Sequence, residues 1–375
     1  MMNYKNEFSS ESVLFSFLLK FLRINWLIIF CILILGFIGV ISLYSAAGGS
    51  WYPWAKNHFI RLIFGCILLF GIALTPTYLF KKMSVLAFFL GLLTLIWVKF
   101  FGSGDVPRWI TVGGINFQPS EFMKLGLILI LARYFEYLPT IRIGNLFPYI
   151  IPLFLILIPG FLVISQPDLG TGLTIIILGL AILFFIGISI KFVIICSVLL
   201  FSSVPIIWQQ LYEYQKNRIL VFLNPEIDKL GSGYQIIQSK IAIGSGGVFG
   251  KGYLLGSQSK LNYLPEKHTD FIFTLISEEF GFLGSMSIVF IFCLLIGVIL
   301  RISYKTSSIF SKIVAFGVAF LIFLYLSLNI GMVCGLLPVV GAPLPLISYG
   351  GTSLLTILIA AGLVLSINIH EKKYS

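Results

Sequence analysis

Long apolar runs recur from one end of this chain to the other, and most are too long and too free of charge to be core elements of a water-soluble domain. They lie near residues 24–43, 59–75, 83–101, 121–138, 148–165, 170–187, 192–211, 272–300, 313–335 and 351–369. A hydrocarbon layer about 30 Å thick takes about 20 apolar residues per helix, and it forces every backbone N–H and C=O to find a partner within the spanning structure. The runs therefore predict an all-α, polytopic membrane protein of about ten transmembrane helices. Hydrophobic residues make up 58% of the 375 and charged residues only 10%, which leaves no stretch for a soluble catalytic domain, so residues 1–375 are expected to form a single membrane domain. The first run ends in Ser45-Ala46-Ala47, which resembles a signal-peptidase site, but Ile24 to Leu43 is long for a signal sequence and is predicted to be a retained span.

Charge supplies the orientation. Ten spans put both termini on one side, and placing them inside puts Lys20, Arg23, Lys81, Lys82, Arg133, Arg142, Lys191, Arg301, Lys305, Lys312, Lys372 and Lys373 in or beside short inner segments. The short outer connections then hold few cations, so both termini are expected in the cytoplasm, with a long outer loop, about 212–271, between the seventh and eighth spans. The net charge of +11 is scattered between apolar runs, which fits membrane lipids and excludes the clustered face of a nucleic-acid binder. Cys31, Cys66, Cys196, Cys293 and Cys334 sit inside apolar runs without CxxC spacing, as small buried hydrophobes do. His58, His268 and His370 are too dispersed for a zinc site. No repeat favours an inverted-repeat transporter.

With this threading the polar stretches converge outside. GSGDVPRWITVGGINFQPSEFMK ends in Ser120, Glu121 and Lys124, which read equally as a helix start with an i,i+3 pair or as costly intramembrane charges kept for function. Arg108-Trp109 reads as an interfacial anchor or as a cation and ring holding a phosphate and a sugar face. In QPDLGTG, Asp168 is placed to cap the sixth span. Within the long loop, IIQSKIAIG is apolar enough for a helix lying in the interface, with Lys240 reaching phosphate or water. His268-Thr269-Asp270 runs straight into the eighth span, where capping is the bland alternative to chemistry. GLLPVVGAPLPLISYGGTS breaks the helix beside Ser348 and Tyr349, and irregular backbone at that depth is tolerated where it is buried or lines a cavity.

Taken together, RWI with QPSEFMK, QPDLGTG, FLNPEIDKLGSGYQIIQSKIAIGSGG, LPEKHTDFIF with EEFG, and NIGMVCGLLPVVGAPLPLISYGG resemble the SEDS family (shape, elongation, division and sporulation) from about Trp26 to about His370. YQIIQSKIAIGSGG followed by GKG is more similar to the cell-elongation branch than to the division branch. The resemblance implies a peptidoglycan glycosyltransferase that polymerises lipid II, the undecaprenyl-linked disaccharide peptide, on the outer face of the bacterial cytoplasmic membrane and so maintains rod shape. It implies Asp270 as the catalytic carboxylate at the mouth of a central cavity, with Glu121, Lys124, Asp168, Ser348, Arg108, Trp109 and Lys240 binding substrate or supporting the site. It also implies a class B penicillin-binding protein, a transpeptidase, as partner within the elongation machinery. A divalent cation, Mg²⁺ or Mn²⁺, is an optional aid to pyrophosphate departure. The rival readings are a lipid II flippase and a non-catalytic scaffold for the transpeptidase. The outward crowding of polar residues argues against the first, and an acid beside basic residues at a cavity mouth argues against the second. Small residues Gly281, Gly284, Ser285 and Gly317 on the eighth and ninth runs are expected to face the partner.

Overall fold

The computed structural model describes residues 20–102, 108–112, 115–138, 147–188, 213–228, 231–257 and 266–371, with isolated positions within 189–212. Its helices are α1 (Trp26–Ala46), α2 (Trp54–Leu74), α3 (Thr77–Phe101), α4 (Pro119–Tyr137), α5 (Ile150–Ile164), α6 (Leu169–Ile186), α7 (Glu213–Leu223), α8 (Ser232–Ser245), α9 (Ile272–Lys305), α10 (Ile309–Val333) and α11 (Gly351–His370). Nine of the ten predicted spans thus appear as helices, displaced by a few residues at their ends, and the remaining one, 192–211, lies mostly outside the described residues. Seven are long and apolar enough to cross a bilayer by themselves. The two exceptions have plain causes: α5 is 15 residues long, and α4 carries Glu121, Lys124, Arg133 and Glu136 along its length.

Local chemistry sets several boundaries. Asn25 caps α1 by accepting from the Leu27 amide, Asp168 caps α6 by accepting from the Thr171 amide at 3.2 Å, and Ser308 caps α10. Pro76 ends the preceding turn, so α3 starts at Thr77 and takes Lys81 and Lys82 into the helix, where Lys81 pairs with Glu136 of α4 at 2.7 Å.

Helix α10 runs through the middle, packed against α4, α6, α9 and α11, while α2 lies along α11, α3 along α4, α5 along α6, and α1 along α2 and α9. Burial follows this order, with nearly every side chain of α11 inside and many of α3 facing out. Ser45 near the end of α1 bonds Glu279 near the start of α9, and Asn368 at the end of α11 bonds the Arg23 carbonyl just before α1. One end of the bundle therefore holds the starts of α9 and α11, and the opposite end holds their last turns.

The Gly-rich segment after α8 answers a break in α9. Gly281 has φ +67°, and a Cβ there would lie 2.3 Å from the Gly250 nitrogen, so only glycine fits. The break frees backbone groups that residues 247–252 take up: Phe282 and Leu283 amides donate to the Gly247 and Val248 carbonyls at 2.9 and 3.1 Å, and Lys251 and Gly252 amides donate to the Glu278 and Glu279 carbonyls at 3.0 Å. Lys251 also pairs with the buried Glu278 carboxylate at 2.7 Å.

This packing corrects one expectation. Gly281 meets the 248–250 backbone, Ser285 is buried and bonds Ser277 at 2.8 Å, and a Cβ on Gly317 would touch Ile128 of α4 at 2.9 Å. Gly281, Ser285 and Gly317 serve packing inside the chain, and α10 is its central helix, so they do not form an outward face for another helix; Gly284 is half-buried against Phe280 of its own helix. The outward face of α9 is bulky: Phe282, Leu283, Met286 and Phe290.

Candidate active site

Four segments meet at the end of the bundle that holds the starts of α9 and α11. The first is a short antiparallel hairpin, β1 (Ile110–Val112) with β2 (Ile115–Phe117), leading through Gln118 into α4. The second is the α5–α6 connection, the third the turn Glu266–Phe271, and the fourth the irregular segment between α10 and α11.

Within α4, Lys124 donates to Glu121 at 2.7 Å, and the hydroxyl of Tyr325 on α10 bonds both groups. Lys124 is 1% and Glu121 3% exposed. A charge pair so deeply buried costs several kcal/mol of desolvation per ion unless its geometry is good, and the Tyr325 hydroxyl supplies the extra bond such a pair needs. One turn out, Asp168 combines its capping bond with Arg108, whose Nε lies 4.0 Å away, and with Gln118 at 3.5 Å. Arg108 also donates to the Pro167 carbonyl. The capping account of Asp168 and the ionic account are both true of the same carboxylate. Trp109 is 43% exposed beside this cluster, as an interfacial ring would be.

Asp270 does not cap α9: the N-cap is Phe271, and no side chain caps that helix. Its turn is clamped from behind instead. Asn329 of α10 donates to the Asp270 carbonyl at 2.9 Å and to the Ala342 carbonyl at 2.8 Å. Ser348 donates to the Thr269 carbonyl at 2.6 Å while accepting from the Leu344 amide, and the Tyr349 amide donates to the His268 carbonyl at 2.9 Å. His268 stacks on Trp54 of α2 with ring centroids 4.2 Å apart, and burial lowers its pKa, so it is neutral at pH 7. The Asp270 carboxylate is left unbonded and half-buried. Burial, with the Glu266 charge adding, pushes its pKa from 3.8 up to about 6, while Arg218 on α7 pulls it back.

The segment Val340–Pro343 joins these groups. A Cβ on Gly341 would lie 3.4 Å from Asp270 Oδ2, while the same residue lines a cleft with Gln118, Glu121, Lys124 and Tyr325. Gly170 is required beneath it, since a Cβ there would come within 2.5 Å of the Val340 carbonyl. The cleft holds about 30 Å³, room for water and not for a sugar. The expected cavity lining is thus present, but in this conformation Val340–Pro343 covers the Glu121–Lys124 pair and leaves Asp270 on the other side.

Of the residues singled out from sequence, Arg108, Trp109 and Asp168 form one group, Glu121 and Lys124 a second, and Asp270 with Ser348 a third, all around the 340–343 segment. Lys240 stands apart from them. It is exposed on α8, its Nζ lies against Gly335, and α8 is anchored by Ser239, which bonds Thr274 of α9 at 2.7 Å and the Val333 carbonyl at 2.8 Å. Sequence reasoning missed Tyr325, Asn329 and Arg218. The first two are polar groups within an apolar run, which is a signal of function or packing in itself; Arg218 carried none. Among the described residues no three His, Cys, Asp or Glu side chains converge as a metal site would require.

The FtsW/RodA/SpoVE family profile, described as cell cycle protein, matches residues 23–373. Over 321 residues the chain is 40% identical to the peptidoglycan glycosyltransferase MrdB of Escherichia coli K12, covering 84% of this chain and 85% of that protein. It is 31% identical to the peptidoglycan glycosyltransferase RodA of Treponema pallidum, over 92% of this chain and 98% of that one. Among solved structures, a chain from a peptidoglycan synthase complex, studied for how polymerization and crosslinking are coordinated, superposes with a TM-score of 0.80 at 30% identity over 92% of this chain and 97% of the other. The rod shape determining protein RodA of Thermus thermophilus gives 0.68 at 25% identity over 92% and 96%.

Proposed function

The chain belongs to the FtsW/RodA/SpoVE family of cell cycle proteins, the SEDS family, and from that premise we propose that it is a peptidoglycan glycosyltransferase, polymerising lipid II during cell elongation. The observation that carries this is Asp270: a carboxylate with no structural bond, its backbone fixed by Asn329 and Ser348, its pKa raised to about 6, at a bundle end crowded with cations.

Glycan polymerisation requires a sugar hydroxyl to attack an anomeric carbon as a lipid pyrophosphate departs. Pyrophosphate leaves readily, so one base suffices where a glycosidase needs two carboxylates. Asp270 accepts the proton of the acceptor GlcNAc 4-hydroxyl, a role worth about 10² to 10⁴ in rate, and attack opposite the leaving group inverts the α-linked donor to a β-linked strand. Arg108, beside Asp168, and Arg218, which lines a pocket with Gly170 and Val340, offset charge developing on the pyrophosphate. Lys124, fully committed to Glu121 and Tyr325, acts through its field, and Lys240 acts from the rim. The 30 Å³ cleft implies that Val340–Pro343 shifts when the substrate's head groups enter. With Asp270 committed as the base and no three His, Cys, Asp or Glu side chains converging among the described residues, a divalent cation would be held chiefly by the substrate pyrophosphate. It would supply positive charge to the leaving group.

The site faces outward and both termini lie in the cytoplasm, as the cation bias of the short loops supports. The partner is a class B transpeptidase, whose single span fits the bulky outward face of α9. The test uses purified protein in lipid with labelled lipid II, with and without the transpeptidase. Glycan strands made by the wild type support the assignment, and their absence under both conditions, with lipid II crossing the bilayer instead, favours the flippase.

A further inference from the structure

At the end of the bundle remote from Asp270, a groove of about 280 Å³ opens between the start of α1, the last turns of α9 and the end of α11. From the Gly281 break to Arg301, α9 runs about 30 Å at 1.5 Å per residue, the thickness of a bilayer's hydrocarbon core. The groove therefore lies at head-group depth on the face opposite the active site.

Its outer edge is cationic. Arg301 and Lys305, one turn apart on α9, share a face, repel each other and are both exposed. The ion pairs among the described residues include neither of them. Helix α1 begins here with no acidic residue in its first turn, so its positive end partly offsets the negative ends of α9 and α11. Facing the cations are two amide side chains, Asn25 and the buried Asn368, which donates to the Arg23 carbonyl at 2.7 Å and so fixes the groove's shape. Deeper, toward the bundle's middle, the wall turns apolar with Leu27, Val298 and Ile302.

We propose that this groove binds an anionic phospholipid. Arg301 and Lys305 take the phosphodiester, the Asn25 amide meets glycerol or ester oxygens, and an acyl chain lies along Leu27 and Val298. The grading from charge to hydrocarbon over one or two helical turns favours a lipid over a free phosphate, which would use the cations and leave the apolar wall idle. Basic pockets between transmembrane helices commonly bind such head groups.

The full-length chain in detergent is titrated with phosphatidylglycerol, phosphatidylcholine or glycerol 3-phosphate, and bound molecules are counted by native mass spectrometry. The expected result is retention of phosphatidylglycerol over phosphatidylcholine, little binding of glycerol 3-phosphate, and an affinity loss of about 25-fold in Arg301→Gln/Lys305→Gln. Lys82→Gln, which removes an exposed cation at the same end of the bundle outside the groove, should bind like wild type. Should the double variant not elute as a single folded species, Lys305→Gln alone should lose about fivefold. Wild-type affinity in the groove variants, or equal binding of the two lipids, overturns the proposal; glycerol 3-phosphate binding as tightly as the lipid replaces it with a soluble anion site.

Discussion

Replacing Asp270 by Asn separates chemistry from structure because the side chain makes no bond that the fold uses. The clamp on its turn is made of backbone carbonyls held by Asn329, Ser348 and Tyr349, and all of it survives the change. The carboxyl titrates at about 6 in the fold against 3.8 in a free side chain, so the folded protein holds that proton more tightly. Stability from this group is therefore full below about pH 4 and is lost as pH rises through 6. Two pKa units are worth at most about 3 kcal/mol, and partial exposure reduces it. Asp270→Asn removes this cost, so above pH 6 the variant should melt in detergent at or above the wild-type temperature, and the wild type should lose more stability than the variant between pH 4 and 7. Polymerisation runs the other way. Only the ionised carboxylate accepts a proton, so the wild-type kcat/KM should rise about tenfold per pH unit below 6 and level off above it. The variant should retain less than about one hundredth of the wild-type rate at pH 7.5, measured as glycan strands from labelled lipid II in proteoliposomes. Retention of more than about a tenth would refute the base role. A variant melting below wild type would refute the claim that the carboxylate is structurally idle.

Lys124→Met alone leaves the Glu121 charge buried without its partner and should cost about 3 to 5 kcal/mol in thermal melts. Glu121→Gln/Lys124→Met should recover most of that stability while polymerisation stays low; recovery of both would mark the pair as purely structural. Ser348→Ala strands the Thr269 carbonyl and the Leu344 amide, so it should cost about 1 to 3 kcal/mol and lower kcat more than it raises KM, the pattern of a loosened Asp270 turn. A cysteine at Ser257 should react with an impermeant reagent added outside intact cells and one at Ser307 should not; the reverse pattern would invert the topology.

The spans were legible in the sequence because the constraint that makes them is local: a helix in hydrocarbon satisfies its own backbone, so length and composition alone mark it. The cap at Asp168 was legible for a related reason, since a side chain bonding an amide two or three residues on needs no tertiary partner, and the caps at Asn25 and Ser308, which the runs did not mark, have the same local cause. The Glu121–Lys124 pair was readable from its i,i+3 spacing, but its meaning was not. Only packing brings Tyr325, some 200 residues away, to bond both charges. Periodicity likewise left open whether Asp270 caps α9 or stands free, because that depends on which residue starts the helix and on the clamp from Asn329 and Ser348. Nor does small-residue spacing say which neighbour a glycine meets: Gly281 and Gly317 looked like a docking face and are filled from within by the 248–250 backbone and Ile128. Transmembrane helices present similar apolar surfaces to lipid and to one another, so the pattern that puts a helix in the membrane carries little information about which of its faces is buried. That was decided by the central position of α10 and by the Val340–Pro343 segment, whose close approach at Gly170 and Gly341 puts the carboxylate and the buried ion pair on either side of one strand of chain.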